Sequence, residues 1–186
     1  MESTDSIWKN ATSTHPLQVS NLSVKRSGSL IIKDVDFSIK QGEFVGLVGP
    51  NGSGKTTLIL SILGILKPFT GEVKIYGHEV NSKELHGRIA WVSQAAANLP
   101  SNIRLTVREL VKLGTLKGLG IDLLIRRSNA DEVNEAIHLV GLEEYADTSI
   151  SKLSGGQRQR AVIARALASK AEFILLDEPL VGIDRD

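Results

Sequence analysis

The sequence predicts an α/β fold in which an antiparallel sheet leads into buried parallel strands, with a helical segment inserted before the chain returns to that core. Three observations carry this expectation. The first third of the chain alternates apolar and polar residues in strand-length runs. Two short stretches further on are wholly apolar, and the texture changes from strand-like to helix-like after Gln94.

Leu17 to Lys25 and Leu30 to Lys40 read as two strands joined by a turn at Ser27-Gly28-Ser29. Val35, Phe37 and Ile39 recur with period two, which suits an antiparallel sheet with one wet face. Gln41-Gly42 closes that strand. Phe44-Val45-Gly46-Leu47-Val48 is then a short apolar run of the kind buried on both faces of a parallel sheet. A glycine-rich loop follows, and Thr57 to Leu66 reads as a helix stopped by Pro68. Glu72 to Tyr76 and Arg88 to Val92 are further strands. Thr106-Val107-Arg108-Glu109 is a capping box ahead of a helix with Val107, Leu110 and Val111 on one face. Asp131 to Val140 repeats the helical pattern and closes on Gly141. Gln157 to Ser169 is a third helix of this part, and Phe173 to Leu176 a second wholly apolar strand. The expected organisation is a tail over residues 1–16, a core over 17–94 and 151–186, and a helical subdomain over 95–150.

Composition narrows the function classes. The 186 residues carry 41% hydrophobic and 23% charged side chains, with a formal net charge of +1. No global basic field argues for a nucleic-acid partner. Cysteine is absent, which excludes a disulfide framework and any cysteine-ligated zinc or iron–sulfur site. The longest apolar stretch, Leu58 to Leu66, is interrupted by Ser61 and Gly64 and has half the length of a membrane span. The first fifteen residues have neither a basic start nor an apolar centre, so they do not read as a signal peptide.

The chemistry concentrates in Gly49-Pro50-Asn51-Gly52-Ser53-Gly54-Lys55-Thr56. An apolar run, this Gly-x-x-x-x-Gly-Lys-Thr pattern and then a helix is the context of a phosphate-binding loop. Glycines at 52 and 54 let the backbone close on phosphate oxygens, successive N–H groups form an anion nest, and the helix adds its positive end. Lys55 reaches the β- and γ-phosphates of ATP as a point charge, and the Thr56 hydroxyl ligates Mg²⁺. Thr57 extends the set of nucleotide-binding positions. A glycine turn before a buried helix is the competing reading, and the strand–loop–helix order argues against it.

Two further motifs gain meaning from this loop. The apolar run Phe173 to Leu176 ends in Asp177-Glu178, and an acid at the carboxyl end of a buried parallel strand lies in the ligand crevice of an open α/β sheet. Asp177 is suited to the Mg²⁺ shell, and Glu178 to orienting or deprotonating an attacking water. Leu153-Ser154-Gly155-Gly156-Gln157 opens a helix and offers a second anion nest with Ser154 as its first hydroxyl.

In this combination the sequence resembles the ATP-binding subunit of ATP-binding cassette (ABC) transporters. Gly49 to Thr56 resembles the Walker A loop, Leu153 to Gln157 the signature, and Phe173 to Glu178 the Walker B strand with its catalytic glutamate. Gln94 aligns with the glutamine loop and Asp184 with the D-loop aspartate. The resemblance implies a P-loop NTPase core, with an antiparallel subdomain beside a parallel RecA-like sheet. It also implies a head-to-tail dimer of two ATP-binding subunits, in which each ATP lies between one Walker A loop and Ser154, Gly155, Gly156 and Gln157 of the other subunit. Gln94 would sense Mg²⁺ and the attacking water. Integral membrane permease subunits and an extracytoplasmic solute-binding protein are the implied partners, at the cytoplasmic face of the membrane.

The sequence departs from the family pattern at three points. The aromatic residue that stacks on adenine is replaced by Arg26, whose guanidinium can stack on a base; a solvent-facing arginine is the alternative. Gly182 stands in the D-loop ahead of Asp184. The resemblance also implies a further helix and a strand bearing a switch histidine. His15, His78, His86 and His138 all precede the Walker B strand, so the expectation is a piece of a longer subunit with little ATP turnover alone. Leu99 to Glu109, Leu113-Gly114 and Pro179 to Asp184 resemble importers of zinc or manganese, another small solute being the alternative cargo. A soluble relative acting on DNA or ribosomes is the competing function. The short spacing between loop and signature, without long heptads or cysteines, speaks against it. A nucleotide-gated interaction module fits poorly with Glu178.

Overall fold

Ser27 and Gly28, with φ of 50° and 82°, turn the chain between its first two strands. A two-residue loop with both φ values positive matches the right-handed twist of the strands it joins. The computed structural model, which describes residues 15–97, 104–116 and 130–177, pairs β1 (Leu17–Arg26) antiparallel with β2 (Ser29–Ile39) across this turn. β1 also pairs antiparallel with β3 (Thr70–Ile75), which turns at Tyr76-Gly77 into the short β4 (His78–Glu79), for a sheet order β2-β1-β3-β4. In β2, half-buried Val35, Phe37 and Ile39 alternate with exposed neighbours, as the period-two pattern predicts. Leu17, Leu22, Val24 and Ile75 are fully buried on this sheet.

The helix after the glycine loop, α1 (Lys55–Ile62), starts earlier and stops sooner than its apolar pattern suggests. Gly64, at φ 70°, ends it well before Pro68. The Gly64 N–H bonds to the Ser61 carbonyl at 3.0 Å and the Ile65 N–H to the Leu60 carbonyl at 2.9 Å, a Schellman ending. Leu58, Ile59 and Ile62 are buried in this unit.

The run Phe44 to Val48 departs from expectation more sharply. It forms no ladder with any strand among the described residues, and Phe44 and Val48 are 95% and 93% exposed. An apolar run becomes a buried strand only when two flanking strands accept its backbone groups, and composition cannot supply those neighbours.

The described residues separate into two units, the first up to Leu85 and the second from His86 onward. In the second unit, β5 (Ile89–Val92) and β6 (Phe173–Leu176) pair in parallel, from Ile89 opposite Phe173 to Val92 opposite Leu176. Arg88 fixes where this pairing starts. Its Nε and Nη2 donate to the two carboxylate oxygens of Glu172 at 3.1 and 2.8 Å, and its carbonyl accepts the N–H groups of Glu172 and Phe173. Between the strands run α2 (Val107–Lys112), α3 (Ala130–Leu139) and α4 (Gly155–Ala168).

The alanines of α4 let the other helices approach closely, and Val107, Leu110, Val111, Ile137 and Val162 meet in one core with Val92 of the sheet. Each such fully buried aliphatic side chain contributes about 1.5–3 kcal/mol. Gly141, at φ 63°, ends α3 with the same Schellman pattern: Gly141 N–H to the His138 carbonyl, Leu142 N–H to the Ile137 carbonyl. Gly114, in the 3₁₀ turn after α2, lies directly on α4; a Cβ there would stand 2.0 Å from the Arg165 carbonyl oxygen.

Candidate functional site

The phosphate-type loop is shaped by its glycines and closed by its lysine. Gly52 has φ 81° and nothing within 4 Å of a Cβ position, so its peptide faces open space. Gly54, at φ 95°, is the N-cap of α1, and its bare Cα sits against Ile31 and Ile32 of β2; a Cβ would lie 3.1 and 3.0 Å from their side chains. A Cβ on Gly49 would meet the Ser53 hydroxyl at 2.9 Å. The Ser53 N–H bonds to the Pro50 carbonyl at 3.2 Å, while Asn51 at the tip is exposed. Lys55 Nζ donates to the carbonyls of Gly49 and Pro50 at 2.8 and 2.9 Å, so the cation curls back over the loop. Loop carbonyls therefore turn toward the lysine, leaving N–H groups for an anion. Thr56 is half-buried in the first turn of α1. Thr57 is 4% exposed, and its carbonyl accepts from the Ser61 hydroxyl at 2.9 Å. Arg26 is exposed at the end of β1, opposite Ser29 across the hairpin turn.

In the second unit, two predicted site residues lie at the carboxyl ends of neighbouring strands. Asp177 follows β6, is 3% exposed, and donates its N–H to the Val92 carbonyl at 2.9 Å. Gln94 follows β5 by two residues and is exposed in the turn that begins there. The sequence offers these two residues separately; the β5–β6 ladder, which ends at Val92 opposite Leu176, puts them at the same end of the two strands, the end where open α/β sheets bind ligands. A deeply buried carboxylate with hard oxygen donors, and a threonine hydroxyl at a helix start, are the donor types that suit Mg²⁺.

Ser154 caps α4 with a reciprocal capping box. Its hydroxyl accepts the Gln157 N–H at 3.2 Å, and its own N–H donates to Gln157 Oε1 at 2.8 Å. Ser154 and Gly155 are exposed and Gly156 half-buried, so the first N–H groups of a fourteen-residue helix are presented outward. Leu153, 6% exposed, anchors the loop from below. Gln157, predicted as part of the nucleotide site, here holds the cap.

Glu178 and Asp184, the stretch Leu99 to Ile103, the ending Pro179 to Asp184 and the tail through residue 14 lie outside the described residues. Sequence reasoning passed over two supports. Ile31 and Ile32 form the bed under Gly54, and the only hint was that two adjacent isoleucines break the alternation of β2. Arg108 holds Asp147 and Asn134, and no local pattern joins residues so far apart.

Over residues 32–181 the chain matches the ABC transporter family. It belongs to that family. Among its relatives, the zinc uptake system ATP-binding protein ZurA of Listeria monocytogenes is 36% identical over 168 residues, covering 90% of this chain and 65% of ZurA. The manganese transport system ATP-binding protein MntB of Halalkalibacterium halodurans is 39% identical over 168 residues, covering 90% of this chain and 66% of MntB. The chain thus spans about two thirds of the length of these relatives. Of solved structures, cbiO1 from Clostridium perfringens, part of the ABC transporter complex cbiONQ, superposes with a TM-score of 0.75 at 28% identity, covering 92% of this chain and 68% of cbiO1. The architecture is therefore the α/β fold of ABC ATPase domains. No helix among the described residues is long and apolar enough to cross a membrane.

Proposed function

We propose that this chain is the ATP-binding and hydrolysing part of an ABC importer whose cargo is a metal ion such as zinc or manganese. The observation that carries the proposal is the loop at Gly49–Thr56, shaped by Gly52 and Gly54 and leading into α1. Names of relatives that energise zinc and manganese uptake support the cargo. Residues 17–94 and 151–186 act as the nucleotide core, and 95–150 as a helical subdomain facing the permease.

In this reading the loop N–H groups and Lys55 bind the β- and γ-phosphates. Arg26 stacks on the base, and Thr56 and Asp177 hold Mg²⁺. When bound, that ion neutralises charge that develops on the transferred phosphoryl group. Glu178 accepts a proton from the water that attacks the γ-phosphorus. The bond from that phosphorus to the β-γ bridging oxygen breaks, and ADP leaves with the electron pair. Gln94 orients the water, and Asp184 lines the interface. A second ATP-binding subunit, packed head to tail, supplies Ser154, Gly155, Gly156 and Gln157 to the γ-phosphate. Closure of this dimer drives permease subunits at the cytoplasmic face of the membrane, with a solute-binding protein delivering cargo on the other side. No nucleic acid takes part.

The test uses the full-length subunit with its permease in vesicles. ATP-dependent uptake of zinc or manganese is expected, abolished by Lys55→Ala and by Glu178→Gln. Uptake that persists in Lys55→Ala refutes the nucleotide site, and ATP turnover stimulated by neither metal refutes the cargo.

A further inference from the structure

We infer that Arg108 is a positioning residue for the signature loop, acting through a clasp between the start of α2 and the segment that leads into Ser154. This rests on the proposed role of Ser154–Gly156 against a partner's ATP. The clasp begins with the backbone. The first two N–H groups of α2 have no intrahelical partner, as at every helix start. Val107 N–H is accepted by the Thr148 carbonyl at 3.1 Å, and Arg108 N–H by the Ala146 carbonyl at 2.8 Å. Just before the helix, the Leu105 carbonyl accepts the Ile150 N–H at 2.9 Å, and Thr106 bridges to Ser149. The Thr106–Glu109 capping box satisfies the next donor. Segment 146–150 therefore serves as an external cap for α2, and Ser154 follows four residues later.

The Arg108 side chain closes the clasp from the solvent side. Its Nε and Nη2 donate to the two oxygens of Asp147 at 2.9 and 3.4 Å, and its Nη1 donates to Asn134 Oδ1 of α3 at 2.6 Å. One planar guanidinium thus ties α2, α3 and the lead-in to α4, a geometry that lysine cannot reproduce. Arg108 and Asp147 keep 42% and 77% of their side-chain exposure, so the pair adds little to global stability. Its value lies in direction. Apart from the single bridge at Ser149, Ala146 to Leu153 holds only turns, bends and a 3₁₀ segment, and the clasp fixes the angle at which this chain delivers the exposed N–H groups of α4.

A double-mutant cycle on the full-length subunit tests this, in a Glu178→Gln background that keeps ATP uncleaved. Arg108→Ala is expected to weaken ATP-driven dimerisation about five-fold, within the range of residues that couple sites without touching ligand. It is also expected to speed amide exchange at Gly155, Gly156 and Gln157. ATP affinity of the single subunit stays unchanged. Asp147→Ala added to Arg108→Ala should cost nothing further. Should Arg108→Ala fail to fold, Arg108→Lys, which keeps the charge and loses the fork, carries the same expectation at smaller size. Wild-type exchange at residues 155–157 overturns the inference, as does an equal loss in single-subunit ATP affinity. A parent subunit that does not dimerise with ATP refutes the head-to-tail reading instead, and the exchange measurement then still decides the clasp.

Discussion

Replacing Gly114 by alanine tests the helical packing of the second unit more sharply than any truncation. A Cβ at this position would stand 2.0 Å from the Arg165 carbonyl oxygen and 2.9 Å from its carbon. Real Cβ atoms essentially never come within 3.0 Å of such a neighbour, so the turn after α2 and the backbone of α4 must part by about 1 Å. Both sides of the contact are backbone, and neither can yield by a rotamer change. Overpacking of this kind costs about 1–3 kcal/mol. For a chain of this size that corresponds to a Tm lower by about 3–10 °C.

Gly141→Ala is the matched control. Its φ of 63° is unfavourable for alanine, yet only the far end of the Arg160 side chain lies nearby, at an ordinary contact distance of 3.6 Å. Its cost should be about 1 kcal/mol, from conformation alone. Thermal unfolding followed by circular dichroism, with guanidinium titration as a check on cooperativity, measures both. The reasoning fails if Gly114→Ala unfolds within 1 °C of the parent, or if Gly141→Ala is the more damaging of the two.

Three further outcomes are expected. Arg26→Ala should weaken ATP binding about two- to five-fold in a fluorescent-nucleotide titration, and an unchanged affinity removes its stacking role. Ser154→Ala should lower stability by about 1 kcal/mol through loss of the α4 cap, as measured by denaturant unfolding. Acid titration should expose the carboxylates held below their ordinary range: Glu109 by the Thr106 N–H, Glu143 by its own backbone N–H and then His138, and Asp147 by Arg108. A depressed folded-state pKa stabilises above the unfolded value and loses that contribution as pH falls through the folded one. The contribution of the two glutamates should therefore fade as pH falls below about 4.5, and the small one of Asp147 below about 3.8, their ordinary values; Arg108→Ala should remove the Asp147 part alone. An Asp147 carboxyl that titrates alike in the two proteins, followed by NMR, would contradict the Arg108–Asp147 pairing.

What could be read from the sequence was local. The Thr106–Glu109 capping box closes within three residues, so its donors and acceptors are visible in the letters; the letters give Ser154 only as a helix-entry hydroxyl, and the structure adds its reciprocal bond with Gln157. The Ser27-Gly28 turn and the glycine at the end of α3 are of the same kind. α1 ends short of the expected Leu66: Pro68 is the louder stop signal in the letters, but Gly64 completes a Schellman ending that needs only two hydrogen bonds. Non-local pairing lay beyond reach. Nothing in Leu17 to Arg26 says that Thr70 to Ile75 will flank it, and nothing in Phe44 to Val48 says that no described strand will. The site shows the same division. Gly49–Thr56 is legible as a unit, whereas the placement of Gln94 and Asp177 at one end of a strand pair comes from a parallel ladder joining residues more than eighty positions apart.

The Ser154 cap also acts as a filter on residue chemistry. Serine, threonine, aspartate and asparagine start helices comparably well, because each offers an oxygen to the N–H three residues on. In Ser154 that oxygen is taken by Gln157, and the hydroxyl proton is left over to donate elsewhere. Aspartate would start α4 just as firmly and yet turn a negative charge toward any phosphate brought to it. Asparagine would offer an amide of different reach. Folding alone admits four residue types at this position, and donation to an anion from the same short side chain reduces them to the two hydroxyl amino acids.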